Sequence, residues 1–360
     1  METSAKIKKK IVRIVLTLAV ILLLKGLFAW SHHFSDCYFH RWYIWSSRAF
    51  RQLTGIVPFS VGDVIYIAWI GTAIFFLLKL CYKLIRMQWG ASGLLVLRGI
   101  HFILKLYLAF LILWGFNYER NTLLHDTGII TGAYNTQQLY QLSDTLLKLT
   151  NAEKLKLGDT LGITLPDTTV PVFKKAVMAY TTAAGQWPAF RYKSPSVKPA
   201  MFGEWLNYPG VTGYLNPFSG EAQVNTTTPS VLLPIITCHE IAHQLGYAPE
   251  EDANFVGYLA ATSSSDSHFR YSANFDMFLY SVKQLAVRDT AMAKEVWHRA
   301  MPGVKADYKN IVKFYEQYTG KVEDYSTILY DKYLKANKQD KGIRSYSEVT
   351  GWLIAWFKIR

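Results

Sequence analysis

Three apolar segments near the N-terminus constrain the fold of this chain more than any other feature. They run from Ile11 to Trp30, from Val61 to Tyr82 and from Leu94 to Phe116. Each is close to the ~20 residues that a helix needs to cross the hydrocarbon core of a bilayer. The first segment has a basic start, as a signal peptide has, but Lys25 and the bulky Phe28-Ala29-Trp30 make a poor cleavage site. We therefore expect three retained membrane-spanning helices.

The basic residues around these segments predict an orientation. Lysines and arginines crowd the N-terminal flank and the connection between the second and third segments, whereas the connection between the first two holds only Arg41, Arg48 and Arg51. By the positive-inside rule, the N-terminus and the second connection lie in the cytoplasm. The sequence thus predicts a membrane anchor over residues 1–117 and an extracytoplasmic domain over residues 118–360. Lys105, near the middle of the third segment, either faces a polar partner inside the bundle or snorkels to the interface.

The net charge of +13 does not indicate a nucleic-acid partner. Residues 1–117 carry 14 Lys and Arg against 3 Asp and Glu, and residues 118–360 carry 25 against 23. The excess of +11 in the first part follows from membrane topology, and the remaining +2 leaves no basic surface typical of nucleic-acid binding. The partner that the composition predicts is the lipid bilayer.

A His-Glu-x-x-His motif begins at His239, directly after an apolar run from Val231 to Ile236. On a helix, His239 and His243 share one face, so both imidazoles can reach one metal ion while Glu240 reaches a water beside it. This spacing is typical of zinc hydrolases. The alternative is a helix that carries two histidines with purely structural contacts.

A catalytic zinc site needs a third protein ligand and one open position. A second helix is predicted to start soon after the motif, and its first turn carries Glu250, Glu251 and Asp252. We expect Glu250 to be the third ligand, with Glu251 or Asp252 as alternatives. Asn254 lies four residues after Glu250 on the same face. We expect Asn254 and Glu251 to contact the metal-ligating side chains without binding the metal themselves.

The chain after residue 117 reads as an α+β domain that is mainly helical and has a small sheet. The sheet is expected between Ser194 and Asn225, which is rich in Gly, Pro and aromatic residues. Within it, the segment from Gly213 to Asn225 predicts a hairpin turned by Pro217 to Gly220, or an edge strand that pairs with an extended substrate. Glu221 in this segment is a weaker functional candidate. Helical spacing is present at Leu139–Leu149, Val172–Ala184, Asn274–Val287, Ala291–Ala300, Tyr308–Tyr318 and Thr327–Leu334. The apolar run from Trp352 to Phe357 is too short to span a membrane and is expected to cap the core or to lie at the bilayer surface.

The order of the three spans and the segments Trp114–Arg120, Asn216–Asn225 and His239–Leu259 together resemble an uncharacterised bacterial membrane family, domain of unknown function 3810. The resemblance covers nearly the whole chain. It implies a zincin-like metallopeptidase fold anchored in the bacterial cytoplasmic (inner) membrane. The site is also similar to that of carboxylate-ligand zincins (gluzincins), in which a Glu-x-x-x-Asp helix follows the motif helix. That pattern falls on Glu250 to Asn254, with Asn254 in place of Asp.

These features predict a zinc-dependent metallopeptidase that acts on a peptide or protein substrate. Zn2+ held by His239, His243 and Glu250 would activate a water, and Glu240 would act as general base and deliver the proton to the leaving amine. The alternative is a non-catalytic membrane sensor that uses the same metal site. A donor to the oxyanion is also expected, and the candidates are Tyr258, His268, Tyr271, His298, Tyr330 and Tyr333.

Overall fold

The computed structural model describes residues 2–120, 123–158, 169–320, 328, 332 and 348–359, and these residues are mainly helical. Short 3-10 turns lie at Gly115–Glu119, Pro188–Phe190 and Ser230–Leu232, and a π-helical turn lies at Tyr38–Trp42. The α-helices are α1 (Glu2–Trp30), α2 (His32–Cys37), α3 (Tyr43–Gly55), α4 (Val61–Ile85), α5 (Trp89–Leu113), α6 (Leu123–Thr127), α7 (Thr136–Lys156), α8 (Thr169–Ala183), α9 (Gly203–Asn207), α10 (Leu233–Gln244), α11 (Glu250–Thr262), α12 (Ser267–Arg288), α13 (Thr290–His298), α14 (Pro302–Tyr315) and α15 (Glu348–Trp356).

Three of these helices, α1, α4 and α5, are long and apolar enough to cross a membrane. They contain the three predicted segments, with one difference at the third. Helix α5 begins at Trp89 and ends at Leu113, because the backbone of Trp114 leaves the helical conformation with φ −149°. Phe116 therefore belongs to the following 3-10 turn and not to the span. Lys105 is exposed on α5, which agrees with a side chain that snorkels.

The sheet has three short strands, β1 (Val197–Pro199), β2 (Gly213–Leu215) and β3 (Ala222–Val224), in the order β1-β3-β2. β2 and β3 form the predicted antiparallel hairpin, and β1 pairs with β3 in parallel. The turn is fixed by Asn216, whose Oδ1 accepts the main-chain N–H groups of Phe218 and Ser219 at 2.9 and 3.1 Å. This topology leaves β2 as an edge strand.

The domain after the spans is built around α10 and α11. Helix α10 ends at Gln244, and Gly246 just after it has a φ of +95°, a conformation that favours glycine at the end of a helix. The chain then turns back, and α11 crosses α10 closely at Gly257. A Cβ at Gly257 would lie 3.0 Å from the main-chain nitrogen of His239. The interhelix spacing at the motif therefore depends on this glycine.

The surrounding helices form one apolar core with α10 and α11. The periodic segments predicted between residues 139 and 318 lie in α7, α8, α12, α13 and α14, whereas Thr327–Leu334 lies outside the described residues except for Ile328 and Lys332. The run from Trp352 belongs to α15 and caps the core, because Leu353 is buried and the ring of Trp352 stacks against Phe255 with centroids 5.9 Å apart. A buried ion pair also joins two of these helices: Lys154 Nζ on α7 lies 2.6 Å from Asp307 Oδ2 on α14.

Candidate metal centre

His239, His243 and Glu250 converge at the facing surfaces of α10 and α11. His239 Nε2 lies 3.3 Å from Glu250 Oε2, and His243 Nε2 lies 3.7 Å from Glu250 Oε1. One ligand atom from each of the three residues falls within 4.8 Å of the others. Ligand atoms at ~2.0–2.1 Å from a tetrahedral zinc lie roughly 3.4 Å from one another, so these three side chains fit a zinc ion with little rearrangement.

The helix geometry sets the direction of both imidazoles. The two rings are perpendicular, at 86°, with centroids 4.6 Å apart. His243 Nδ1 lies 2.7 Å from the carbonyl oxygen of Tyr247, which can only accept, so Nδ1 carries the proton and Nε2 is left for a metal. His239 Nδ1 is buried and has no hydrogen-bond partner, while 16% of the His239 side chain is exposed. The site is therefore open to solvent on the His239 side.

Electrostatics bind the three residues together even without a metal. Burial alone would lower the pKa of His243, but the hydrogen bond and the negative charge of Glu250 raise it to about 9. Burial likewise opposes the charge of Glu250, yet its contacts with His239 and His243 hold its pKa well below the ordinary value. The buried carboxylate of Glu250 thus favours the protonated form of His243, and a divalent cation in the same place would be bound by all three side chains.

Glu240 occupies a different environment from Glu250. It is buried, and its Oε2 has no hydrogen-bond partner. Burial raises the pKa of Glu240 to about 7, helped by the charge of Glu250 and opposed by His239 and His243. A carboxyl group with a pKa near 7 can exchange protons at neutral pH, which is the property that a general base needs.

β2 forms one wall beside Glu240. A Cβ at Gly213 would lie only 2.4 Å from Glu240 Oε1, so the strand backbone packs directly on the carboxylate. The carbonyl of Thr212 accepts a bond from the β3 side at 2.8 Å, and the N–H of Asn216 donates one to that side at 2.9 Å. Tyr214 faces β3 in the same register, so the main-chain groups of Gly213 and Leu215 point away from β3. The edge of the sheet thus runs beside Glu240 with main-chain donors and acceptors directed outward.

The C-terminal end of α10 is held by α3, from the connection between the first two spans. The carbonyl of Gln244 accepts hydrogen bonds from Tyr43 Oη, Ser47 Oγ and Arg51 Nη1 at 3.2, 3.1 and 3.0 Å. Arg51 also stacks over the ring of Tyr192, 5.1 Å from its centroid. These donors satisfy a carbonyl at the negative end of the helix dipole, directly after His243.

The first turn of α4 is joined to the β2–β3 hairpin. Glu221 accepts hydrogen bonds from the main-chain N–H groups of Val61 and Gly62 at 3.2 and 2.6 Å. A carboxylate in this place caps the positive end of the second span, which gives Glu221 a structural role. Tyr214 Oη donates to Asp63 Oδ1 on the same turn. The span is thereby connected to the strand that packs on Glu240.

The other predicted site residues of α11 are not part of the cluster formed by His239, His243 and Glu250. Neither Glu251 nor Asp252 belongs to the metal-ligand cluster found among the described residues. Asn254 Nδ2 is buried and has no hydrogen-bond partner, so its predicted support of a ligand is without a visible contact.

The candidate oxyanion donors that the structure describes have other contacts or lie outside the metal-ligand cluster. Tyr258 Oη donates to Asn274 Oδ1 at 3.0 Å, and Tyr271 Oη donates to Asp307 Oδ2 at 2.7 Å, so both hydroxyls are used in the core. His268 Nδ1 bonds Asp266 Oδ1 at 2.9 Å at the start of α12. His298 is the last residue of α13, outside the cluster, and Tyr330 and Tyr333 lie outside the described residues.

Two residues of α12 that the sequence did not single out face the centre instead. Asp276 is half-buried, and burial raises its pKa to about 6 against the effect of His239. One helical turn later, burial raises the pKa of Tyr280, and the charges of Asp276 and Glu250 raise it further. The two residues are four positions apart and therefore lie on one face of α12. The i, i+4 spacing of Asp276 and Tyr280 within the helix predicted from Asn274 could have indicated from the sequence that the two side chains share one face.

A family model described as "Protein of unknown function (DUF3810)" matches residues 38–354. Neither a curated protein nor a solved structure matches the chain.

Proposed function

Since the chain belongs to the DUF3810 family of proteins of unknown function, whose description assigns no activity, we propose from the site itself that it is a membrane-anchored zinc metallopeptidase with a zincin-like, gluzincin-type domain. One observation carries the proposal. Two imidazole Nε2 atoms and the carboxylate of Glu250 converge within 4.8 Å, and a buried Glu240 with a raised pKa lies beside them.

In the proposed hydrolysis, the metal ligands and Glu240 have separate roles. His239, His243 and Glu250 would hold the ion, which when bound lowers the pKa of a water toward ~7 and polarises a carbonyl group. Glu240 would take a proton from the water whose oxygen bonds the carbonyl carbon, and it would deliver that proton to the amine nitrogen as the peptide C–N bond breaks. Its buried Oε2 has no structural partner, as expected for a group that waits for a substrate or a water.

The edge of β2 supplies a place for the substrate backbone. An extended peptide that pairs with Gly213 and Leu215 would add a strand to the sheet through main-chain hydrogen bonds. Because Gly213 packs on Glu240, such a peptide would pass directly over the general base.

A sensor without catalytic activity is the second candidate. It is favoured by two contacts of the site, one with the second span and one with the connection that precedes this span. Helix α3 holds the end of α10, and the first turn of α4 holds β2. A change in the spans would therefore reach the metal centre through direct contacts. Turnover separates the two functions, since only the peptidase requires Glu240.

We further propose that the protein lies in the cytoplasmic (inner) membrane of a bacterium and that the domain after the spans is on the extracytoplasmic side. With three spans, the connection between the first two and the domain after the third must share one side. The contacts of α3 with α10 agree with that requirement. The positive-inside rule then supports the outer side.

The test uses the zinc-loaded, full-length protein in detergent with a mixed peptide library. We expect peptide cleavage by the wild type and by Glu316→Gln, which changes an exposed glutamate at the end of α14. Glu240→Gln should retain its zinc and lose cleavage by a factor of 10² or more. Cleavage that persists in Glu240→Gln, or zinc without cleavage in the wild type, would refute the peptidase and favour the sensor.

A further inference from the structure

Helix α3 is amphipathic, but its polar side is buried and its apolar side is exposed. Its buried face is polar, with Tyr43, Ser47, Arg51 and Thr54 turned toward the domain. The opposite side exposes large apolar residues: Trp45 is 64%, Leu53 67% and Ile56, directly after the helix, 83% exposed. Gln52 is the one exposed polar side chain of α3. A surface helix in water buries its apolar stripe and exposes its polar one. The arrangement of α3 is that of a helix whose outer side meets lipid.

Both ends of α3 lie at the same boundary of the membrane. Just before its start, Trp42 Nε1 donates to the carbonyl of Ile112, at the end of the third span. After its end the chain needs only a few residues to reach Val61, where the second span begins. The last residue of the third span and the first of the second must lie on one side of the bilayer. The 13 residues of α3, about 20 Å in length, therefore run along that side.

A second apolar surface lies at the same level. The main-chain N–H of Met201 donates to Asp63 Oδ2 at 2.8 Å, which fixes the 201–208 segment to the first turn of α4. In this segment Phe202 is 45% and Trp205 74% exposed. Tryptophan at the end of a span is typical of the membrane interface, where its amphipathic ring lies among the headgroups.

We propose that Trp45, Leu53, Ile56, Phe59, Phe202 and Trp205 form one lipid-facing surface that lies in the interface of the same bilayer that the spans cross. The metal centre is then held at the membrane surface. On one side, Arg51 on the polar face of α3 donates a hydrogen bond to the carbonyl of Gln244, the residue after His243. On the other, Tyr214 contacts Asp63 while its neighbour Gly213 packs on Glu240, so about 4 Å of backbone separates the two contacts.

This position determines a substrate class, an inference that rests on the proposed peptidase function. An extended segment that pairs with β2 would have to lie close to the lipid headgroups. The structure thus favours a peptide that is itself anchored in the membrane, cleaved in the stretch just outside the bilayer, over a peptide free in solution.

The first arm of the test measures depth and requires no activity. Single nitroxide labels are placed at Ile56→Cys and Trp205→Cys after the exposed Cys37 and Cys81 are changed to serine, and the full chain is reconstituted in phospholipid vesicles. A label at Val287→Cys, which is 86% exposed at the end of α12, is the control. We expect the first two labels to be reached by oxygen more readily than by a water-soluble nickel complex, and the control to show the reverse. Labels at 56 and 205 that behave like the control would overturn the surface.

The second arm compares one peptide with and without an acyl anchor, on vesicles that carry the wild type. We expect the anchored form to be cleaved at least tenfold faster at equal bulk concentration, and Trp205→Ser to reduce that ratio. Equal rates for the two forms would overturn the substrate class. If neither form is cleaved while both labels lie in lipid, the peptidase and its substrate class fail together, and the lipid-facing surface stands.

Discussion

Replacing Gly213 with alanine tests whether the placement of Glu240 against β2 matters for turnover. The added Cβ would lie 2.4 Å from Glu240 Oε1 and 2.7 Å from Cδ, whereas ordinary contacts begin at 3.4 Å. The carboxylate would therefore have to move by about 1 Å. A displacement of that size at a catalytic group costs on the order of 10²-fold in rate, or about 2.7 kcal/mol of transition-state stabilisation.

The assay measures kcat/KM on the best library peptide, together with zinc content and thermal unfolding, for the full-length protein. Gly213→Ala should lose about 10²-fold in kcat/KM and keep its zinc, because Glu240 is not a proposed ligand. Gly132→Ala is the matched control, since a Cβ there meets no atom within 4 Å. Wild-type turnover in Gly213→Ala would refute the role given to this contact, and loss of zinc would show that the strand supports the ligands instead.

Other contacts and the raised pKa of His243 give four further predictions. Lys154→Met should lower the free energy of unfolding by about 3–5 kcal/mol, because it leaves the buried carboxylate of Asp307 without its cation; denaturant titration checks this, and a cost below about 1 kcal/mol would contradict it. Gly257→Ala should weaken zinc affinity at least tenfold by pushing α11 from the backbone of His239, as measured by competition with a chelator, and unchanged affinity would show that the crossing can relax. Zinc must displace the proton that His243 holds with a pKa of about 9, so affinity should rise roughly tenfold per pH unit from pH 7 to about 9, and a flat calorimetric profile would contradict this. Because that folded-state pKa lies above the ordinary 6.5, the metal-free protein should lose stability over the same pH range, as thermal unfolding would show.

Local patterns in the sequence were sufficient to predict the elements around the motif. The spacing of His239 and His243 requires a helix to put both rings on one face, and α10 has that form. The acidic residues Glu250, Glu251 and Asp252 predicted the first turn of α11, which begins at Glu250. The three spans were visible because a bilayer demands long apolar helices with little tolerance.

Contacts between distant segments were not predictable in the same way. The three donors of α3 meet a carbonyl roughly two hundred positions later, and no spacing rule connects them. Nothing in the sequence distinguished Asp276 from the other acidic residues, because only the packing of α12 brings it close enough to His239 for their charges to interact. Conversely, Tyr258 and Tyr271 have the right chemistry for an oxyanion donor, but core hydrogen bonds occupy their hydroxyls. The predicted domain boundary at residue 117 remains a prediction, and the contacts of α3 and α4 with the later domain show how much of the site's support comes from before it.

The most direct test of the central claim is the metal content of the purified full-length protein after zinc loading and removal of excess metal, compared with His243→Ala and Glu250→Ala. Three ligands with Nε2 and carboxylate oxygens 3.3 and 3.7 Å apart predict one zinc per wild-type chain. Both variants should lose it. A wild type that holds no zinc, or variants that retain it fully, would contradict the assignment of His239, His243 and Glu250 as a metal centre.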